Sequence, residues 1–287
     1  MTASQSDSPV LGAIYVALGG VFIALNALFV HLASQYEPIY VTTFASFAVS
    51  FVILAVLAIR ARLSLTRDVH AGLLLIRAAV GVSQIFFLYI AIQTIPLVDA
   101  VLLRAASPLW VALLQVAVLR RPIPRIVWLL LLVGFAGVAI VIHPQVADVA
   151  VGYGFGVAGG ILFAVQGLLS RHLHEKGEPL LRILIVVMGV GTCAFIAPAV
   201  THIEAFTLTS AGLGIAVGVS LLAGTACAVQ GYKYAPAYVV APFTYASVIA
   251  SALLGWALFD HAVTLSSWFG ILLVMIGGVG VVRVSRV

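Results

Sequence analysis

Ten apolar stretches dominate the chain, at roughly 10–32, 38–59, 71–93, 97–119, 125–142, 151–171, 179–200, 209–232, 239–259 and 265–282. A helix needs about 20 apolar residues to cross the hydrocarbon of a bilayer. Inside lipid every backbone polar group must be bonded within the protein, which leaves only helices and closed barrels. Barrel strands would alternate over about 10 residues, and no such alternation is present. The balance of side chains agrees, because 63% of the 287 residues are hydrophobic and 8% are charged, too few to cover a water-facing shell. The sequence therefore predicts an all-α integral membrane protein of ten transmembrane helices, with connections too short for a soluble domain. The first apolar run is too long for a signal-peptide core and is expected to remain as a membrane helix. Cys193 and Cys227 sit within apolar runs, where thiols pack as small hydrophobes.

The basic residues orient these helices. If there are ten, both termini and the even-numbered loops share one side, and of the 14 Lys and Arg all but Arg77 and Arg104 fall there. Excess positive charge marks the cytoplasmic face, so a bacterial inner-membrane protein with cytoplasmic N- and C-termini is expected. The net charge of +5 is then a topology signal. Nucleic-acid binding would need a solvated basic face, and none is offered.

Displaced by 140 residues, the sequence matches itself. "GAIYVALGG" (12–20) falls over "GYGFGVAGG" (152–160), Ala71-Gly72-Leu73 over Ala211-Gly212-Leu213, and Pro96 over Pro236. Ala106-Ser107 falls over Ala246-Ser247, Trp128 over Trp268 and Gly137 over Gly277. Glu37-Pro38 meets Glu178-Pro179 at a shift of 141. A unit of five helices is odd in number, so its second copy enters the membrane inverted. The expected domains are a first repeat at 1–145 and an inverted second repeat at 146–287, around a central cavity. Inverted repeats are a recurrent plan of secondary transporters, with the site near midplane between the halves.

Several segments carry a family resemblance. "YIAIQTIPLVDAVLLRAASPLWVALLQVAVLRRPI" (89–123), "YKYAPAYVVAPFTYASVIASALLGWALFD" (232–260), "LFAVQGLLSRHL" (162–173) and Asn26 followed by His31 resemble the drug/metabolite transporter superfamily, in its ten-helix EamA branch. The family often closes its fourth helix with Gly-Glu, where this chain has Arg120-Arg121. The resemblance implies a transporter of small metabolites, most simply an exporter of neutral or aromatic amino acids like the aromatic amino-acid exporters of this branch. A vitamin, a nucleotide-like compound or a drug is the alternative cargo. It implies no cofactor, no metal and no catalytic residue.

The candidate substrate site follows from polar residues within the spans. Arg104, Ser107, Pro108 and Gln115 share one face of the fourth helix at 100° per residue. Their repeat mates include Thr244 and Ser247, with Tyr245 between them. Asn26 falls over Gln166, Gln84 shares a face with Arg77 and Gly81, and the eighth span carries Gln230. The substrate-binding set read from this pattern is Asn26, Gln84, Arg104, Ser107, Gln166, Gln230, Thr244, Tyr245 and Ser247. Plain interhelical hydrogen bonding also suits Asn26, Gln166 and Gln230, and packing suits Tyr245. Arg77, near the cytoplasmic end of the third span, is expected to snorkel. His172 and His174 are expected in a solvated basic loop.

Arg104 constrains function most. A charge inside the membrane costs at least about 2.5–3.5 kcal/mol, so it should face a cavity or a partner unless it snorkels outward. All nine acids fall in tails, loops or helix ends, Asp99 being nearest in sequence. Pro108 weakens the same helix. A bidentate donor without a counter-ion suits a carboxylate supplied by the substrate. The lack of a deep acid favours facilitated or exchange-driven alternating access over proton pumping. Intramembrane catalysis would need paired aspartates, His-Glu-x-x-His, or Ser and His at depth, and the sequence has none of these. Partners expected are the small-molecule substrate and the lipid bilayer. Gly134, Gly137, Gly270, Gly277 and Gly280 in the fifth and tenth spans suit close packing or a weak homodimer surface, the chain otherwise being a monomer.

Overall fold

The structure, a computed structural model, describes residues 8–62, 70–95, 100, 103–104, 106–118, 120, 122–142, 150–202, 208–259 and 265–284. The helices are α1 (Pro9–Ala33), α2 (Ile39–Arg60), α3 (Ala71–Thr94), α4 (Ser107–Ala117) and α5 (Arg125–Ile142) in the first half. The second half holds α6 (Ala150–Glu175), α7 (Leu180–Val200), α8 (Leu208–Tyr234), α9 (Ala246–Phe259) and α10 (Leu265–Val284). A helical turn (Ala237–Val240) and a 3₁₀ stretch (Ala241–Tyr245) lead into α9. Helices α1, α2, α3, α6, α7 and α8 are long and apolar enough to cross a membrane. The remaining apolar helices are shorter and lie at repeat-related places, Ser107–Ala117 and Arg125–Gly137 against Ala237–Ser251 and Trp268–Val284. No strand occurs among the described residues.

Helix pairing shows the two repeats as a pseudo-symmetric pair. α1 packs chiefly on α8, and its repeat mate α6 on α3. α2 meets α8 as α7 meets α3, and α1 meets α9 as α6 meets α4. The pairs α2–α7 and α5–α10 are each their own mates. The Glu-Pro dipeptides act alike: Pro38 (φ −63°, ψ 152°) caps α2 and Pro179 (φ −71°, ψ 144°) caps α7. Proline disfavours helix in the residue before it and suits a helix start. The expected repeat boundary at 145/146 lies outside the described residues.

The distribution of side chains is the inverse of a soluble protein. Val52, Ile59, Ile76, Ile196, Ile215 and Leu272 are exposed, while Asn26, Ser46, Ser50, Arg77, Gln84 and Ser170 are buried. Without water outside, polar groups gain only by facing one another or a cavity. α5 and α10 pack at the side of the bundle. A Cβ at Gly137 would stand 2.5 Å from the Gly270 carbonyl oxygen, and one at Gly277 would stand 2.6 Å from that of Leu130. The close packing expected of these glycines is made between α5 and α10.

Span four differs from its expected course. Ser107 opens α4 and Pro108 sits in its first turn, where a missing N–H costs nothing. The proline starts α4, and Ala100, Leu103 and Arg104 before it are helical too, with Ala106 at a turn between.

Candidate functional site

Side chains from α1, α3, α6 and α8, together with Arg104 ahead of α4, enclose a chamber between the repeats. Its free volume is about 20 Å³, room for one or two waters. Arg104 reaches it from the segment before α4 and is buried, and its guanidinium carbon lies 4.4 Å from the Phe163 ring centroid. Its Nε is sealed without a hydrogen-bond partner.

Arg77 enters the same chamber from α3 and is completely buried. Its Nε donates to the Ser170 hydroxyl at 3.2 Å, while both terminal nitrogens are sealed without partners. Gly81, one turn on, leaves the space it occupies, since a Cβ there would lie 2.6 Å from Nη1. Arg77 therefore does not snorkel. The one signal that pointed inward was its spacing of seven from Gln84, two turns on the same face, and Gln84 lines the chamber too.

α8 contributes Tyr232, fully buried, with a hydroxyl that also lacks a partner. The hydroxyl end of the ring lies close against α6 because residue 167 is glycine: a Cβ there would meet Cζ at 2.8 Å. Asn26 from α1 exchanges a 3.3 Å hydrogen bond with the Tyr89 hydroxyl and donates to the Val217 carbonyl at 3.0 Å and to Ser220 Oγ at 3.4 Å. It ties α1 to α3 and α8 at the chamber wall. Among the described residues neither arginine has an ion pair. Asp99 lies outside them.

Of the nine residues expected here, the structure brings Asn26, Gln84, Arg104 and Gln166 together around the chamber. Ser247 lies in an adjoining crevice that Arg104 also reaches, its hydroxyl donating to the Thr244 carbonyl at 2.7 Å. The other four lie elsewhere. Ser107 is sealed at the start of α4. Gln230 donates to the Tyr234 hydroxyl at 3.2 Å, since two residues along a helix turn it about 200° from Tyr232. Thr244 bonds the Ala241 carbonyl, and Tyr245 turns towards α5, its hydroxyl 3.5 Å from the Leu131 carbonyl and its ring against Gly134. The 3₁₀ stretch advances about 120° per residue, so the projection at 100° that put Thr244 on the polar face does not hold, while Tyr245 takes the packing role that also suited it. Arg77, Phe163, Ser170 and Tyr232 enter the site without having been expected there.

The chamber is closed at the end of the bundle where α1 begins. Glu178, ahead of α7, accepts from the His70 backbone N–H at 2.9 Å and from Arg182 Nη1 at 2.8 Å, with His70 Nδ1 3.0 Å away. Burial pushes its carboxyl up, but His70 and Arg182 together outweigh that and hold it below the usual range. Arg171 donates to the Lys233 carbonyl at 3.0 Å, and His174, buried in the last turn of α6, lies 3.0 Å from the Val229 carbonyl. His174 is thus part of the packing, and no solvated loop holds it. At the other end Glu37, ahead of α2, is buried with the Thr42 hydroxyl at 2.8 Å. Burial raises its carboxyl and the Thr42 hydrogen bond only partly offsets this. A larger hollow of about 510 Å³, lined by Leu114, Leu168, Arg171 and Pro236 among others, lies where α4 and α6 end. It shares no residue with the chamber and lacks the unpaired cations.

Comparison with known proteins agrees with this architecture. The model of the EamA-like transporter family matches residues 10–143 and again 150–283. The Pseudopaline exporter CntI of Pseudomonas aeruginosa (strain UCBPP-PA14) is 26% identical over 272 residues, covering 88% of this chain and 89% of the exporter. An uncharacterized transporter of Helicobacter pylori (strain ATCC 700392 / 26695) is 23% identical over 209 residues, 69% of this chain and 68% of that one. One solved crystal structure shares the fold with a TM-score of 0.77 at 18% identity, covering 99% of this chain and 100% of the other.

Proposed function

The chain belongs to the EamA-like transporter family, and on that basis we propose that it exports a small carboxylate-bearing metabolite by alternating access around the chamber. The observation that carries this reading is Arg104: a guanidinium buried between the repeats, over an aromatic ring, without an acid among the described residues. Such a group is costly to keep in a membrane and offers directional donors to a carboxylate. Asn26, Gln84 and Gln166 supply the neutral donors and acceptors that orient the rest of a ligand. With about 20 Å³ free the chamber admits no metabolite until the repeats move apart, as expected of an occluded intermediate.

An amino acid is the simplest such cargo, and the relative named as a pseudopaline exporter supports outward movement of a metabolite. The positive-inside distribution supports cytoplasmic termini in a bacterial inner membrane, and five-helix units at 1–145 and 146–287 as the moving bodies. The absence of an acid beside either arginine, among the described residues, favours facilitated or exchange transport.

The test is counterflow in proteoliposomes with the wild type and Arg104→Ala. Uptake of carboxylate-bearing amino acids by the wild type, lost in the variant, is expected. Equal uptake by both refutes the role of Arg104.

A further inference from the structure

Building on that reading, we infer that the cargo is a small dianion carrying two separate anionic groups, one held by Arg104 and the other by Arg77, with Tyr232 between them. Two permanent cations face one nearly filled chamber, and both come from the first repeat. Their repeat mates are Thr244 and Val217, so the pair is no consequence of the internal symmetry. One carboxylate satisfies one guanidinium fork. A second fork, sealed and left with both terminal nitrogens unpartnered, is without purpose for a monoanion, and its like charge has to be endured in a medium that screens weakly.

Arg77 is held for this use. Ser170 takes its Nε at 3.2 Å, leaving Nη1 and Nη2, the two parallel donors that suit a carboxylate. Gly81 keeps the guanidinium against the wall of α3. Tyr232, whose unpartnered hydroxyl lies within electrostatic range of both guanidiniums, is placed to donate to either anionic group. The two arginines also start from opposite ends of the bundle, Arg77 six residues into α3 and Arg104 ahead of α4, so each reaches inward to one end of an elongated guest.

The experiment measures binding of α,ω-dicarboxylates of three to six carbons, their monoamides and carboxylate-free diamides, and glycerol 3-phosphate to purified protein in nanodiscs, by thermal shift and calorimetry. The best dicarboxylate is expected to bind about tenfold or more tightly than its monoamide, the advantage of a second charge-assisted contact. In Arg77→Gln that ratio is expected to collapse towards one. Arg77→Lys, which keeps the charge and loses the fork, is expected to hold an intermediate ratio and covers the case of a Gln variant that does not fold. A wild type that binds dicarboxylate and monoamide equally, or an Arg77→Gln that weakens both in proportion, overturns the dianion and leaves the carboxylate reading standing. Glycerol 3-phosphate binding more tightly than every dicarboxylate replaces the two-group guest with a single phosphate. Binding of carboxylate-free amides alone overturns both readings.

Discussion

The guanidinium of Arg104 lies over the ring of Phe163, 4.4 Å from its centroid, and this contact joins the segment before α4 in one repeat to α6 in the other. Phe163 is buried, as is Arg104. In a sealed site the negative face of an aromatic ring partly replaces the water a cation has lost. The ring cannot neutralise the charge, and it forms no hydrogen bonds to the guanidinium edge. The contact stabilises the closed state without satisfying the donors that a ligand would use.

Phe163→Leu keeps most of the volume and removes the ring quadrupole. It is expected to lower stability by about 1–2 kcal/mol, the worth of a desolvated cation–π contact. Phe163→Tyr should recover most of it, provided the added hydroxyl is accommodated. Urea or thermal unfolding in detergent, read beside Arg104→Ala, checks the pairing: in the arginine variant the further change at 163 should cost less.

Gly167 and Gly154 form a matched pair on α6. A Cβ at 167 would stand 2.8 Å from Tyr232 Cζ and 2.9 Å from its hydroxyl oxygen, whereas one at 154 meets nothing within 4 Å. Gly167→Ala is expected to displace the tyrosine, cost about 1–3 kcal/mol as overpacking does, and depress transport. Gly154→Ala should stabilise by about 0.5–1 kcal/mol through helix propensity and leave transport intact. Tm and proteoliposome flux measured on both decide it.

The fold was legible in the sequence because it depends on patterns that survive averaging over many residues. Ten apolar runs and co-linear matches such as Pro96 with Pro236 need no knowledge of contacts. The site was legible where helices are regular. Asn26, Gln84 and Gln166 lie where an ideal helix puts them, at the chamber. It was hidden where the backbone departs from that ideal, as at Thr244 in the 3₁₀ stretch. It was also hidden where position along a helix misleads. Arg77 lies six residues inside α3, within reach of the membrane surface, but Ser170 and the gap at Gly81 draw it inward. No one-helix argument includes Ser170, because it is on another helix. Phe163 and Tyr232 look like ordinary packing residues until the cations beside them are known.

Asn26 joins three helices through one amide. Its bonds to Tyr89, Val217 and Ser220 are 3.0–3.4 Å long, and interhelical bonds of this type in membranes are individually modest. Asn26→Leu is therefore expected to destabilise the protein by about 1–2 kcal/mol and to loosen α1 against α8. Faster hydrogen exchange in both helices than in α5 and α10 would show that loosening. Uniform exchange across all four would assign Asn26 to the ligand alone.

Glu37 and Glu178 are repeat mates with opposite electrostatics, and their pH dependence separates them. Glu178 is held below its ordinary value of 4.5 by His70 and Arg182 against its own burial. Its ionised form therefore adds stability that is complete above about pH 4.5 and is lost as pH falls through the lower folded value. Glu37 is raised above 4.5 by burial, with Thr42 in partial opposition. At neutral pH its charge costs stability, and that cost disappears as pH falls through the raised value to below 4.5. Glu178→Gln should consequently lower Tm at pH 7, with a deficit that shrinks in acid. Glu37→Gln keeps an oxygen for the Thr42 hydroxyl and should raise Tm at pH 7, with a gain that vanishes below pH 4.5. Thermal unfolding of the three proteins from pH 4 to pH 8 gives the comparison. Two variants shifting Tm in the same direction at pH 7 would mean that the repeat mates share one environment, against the partners seen here.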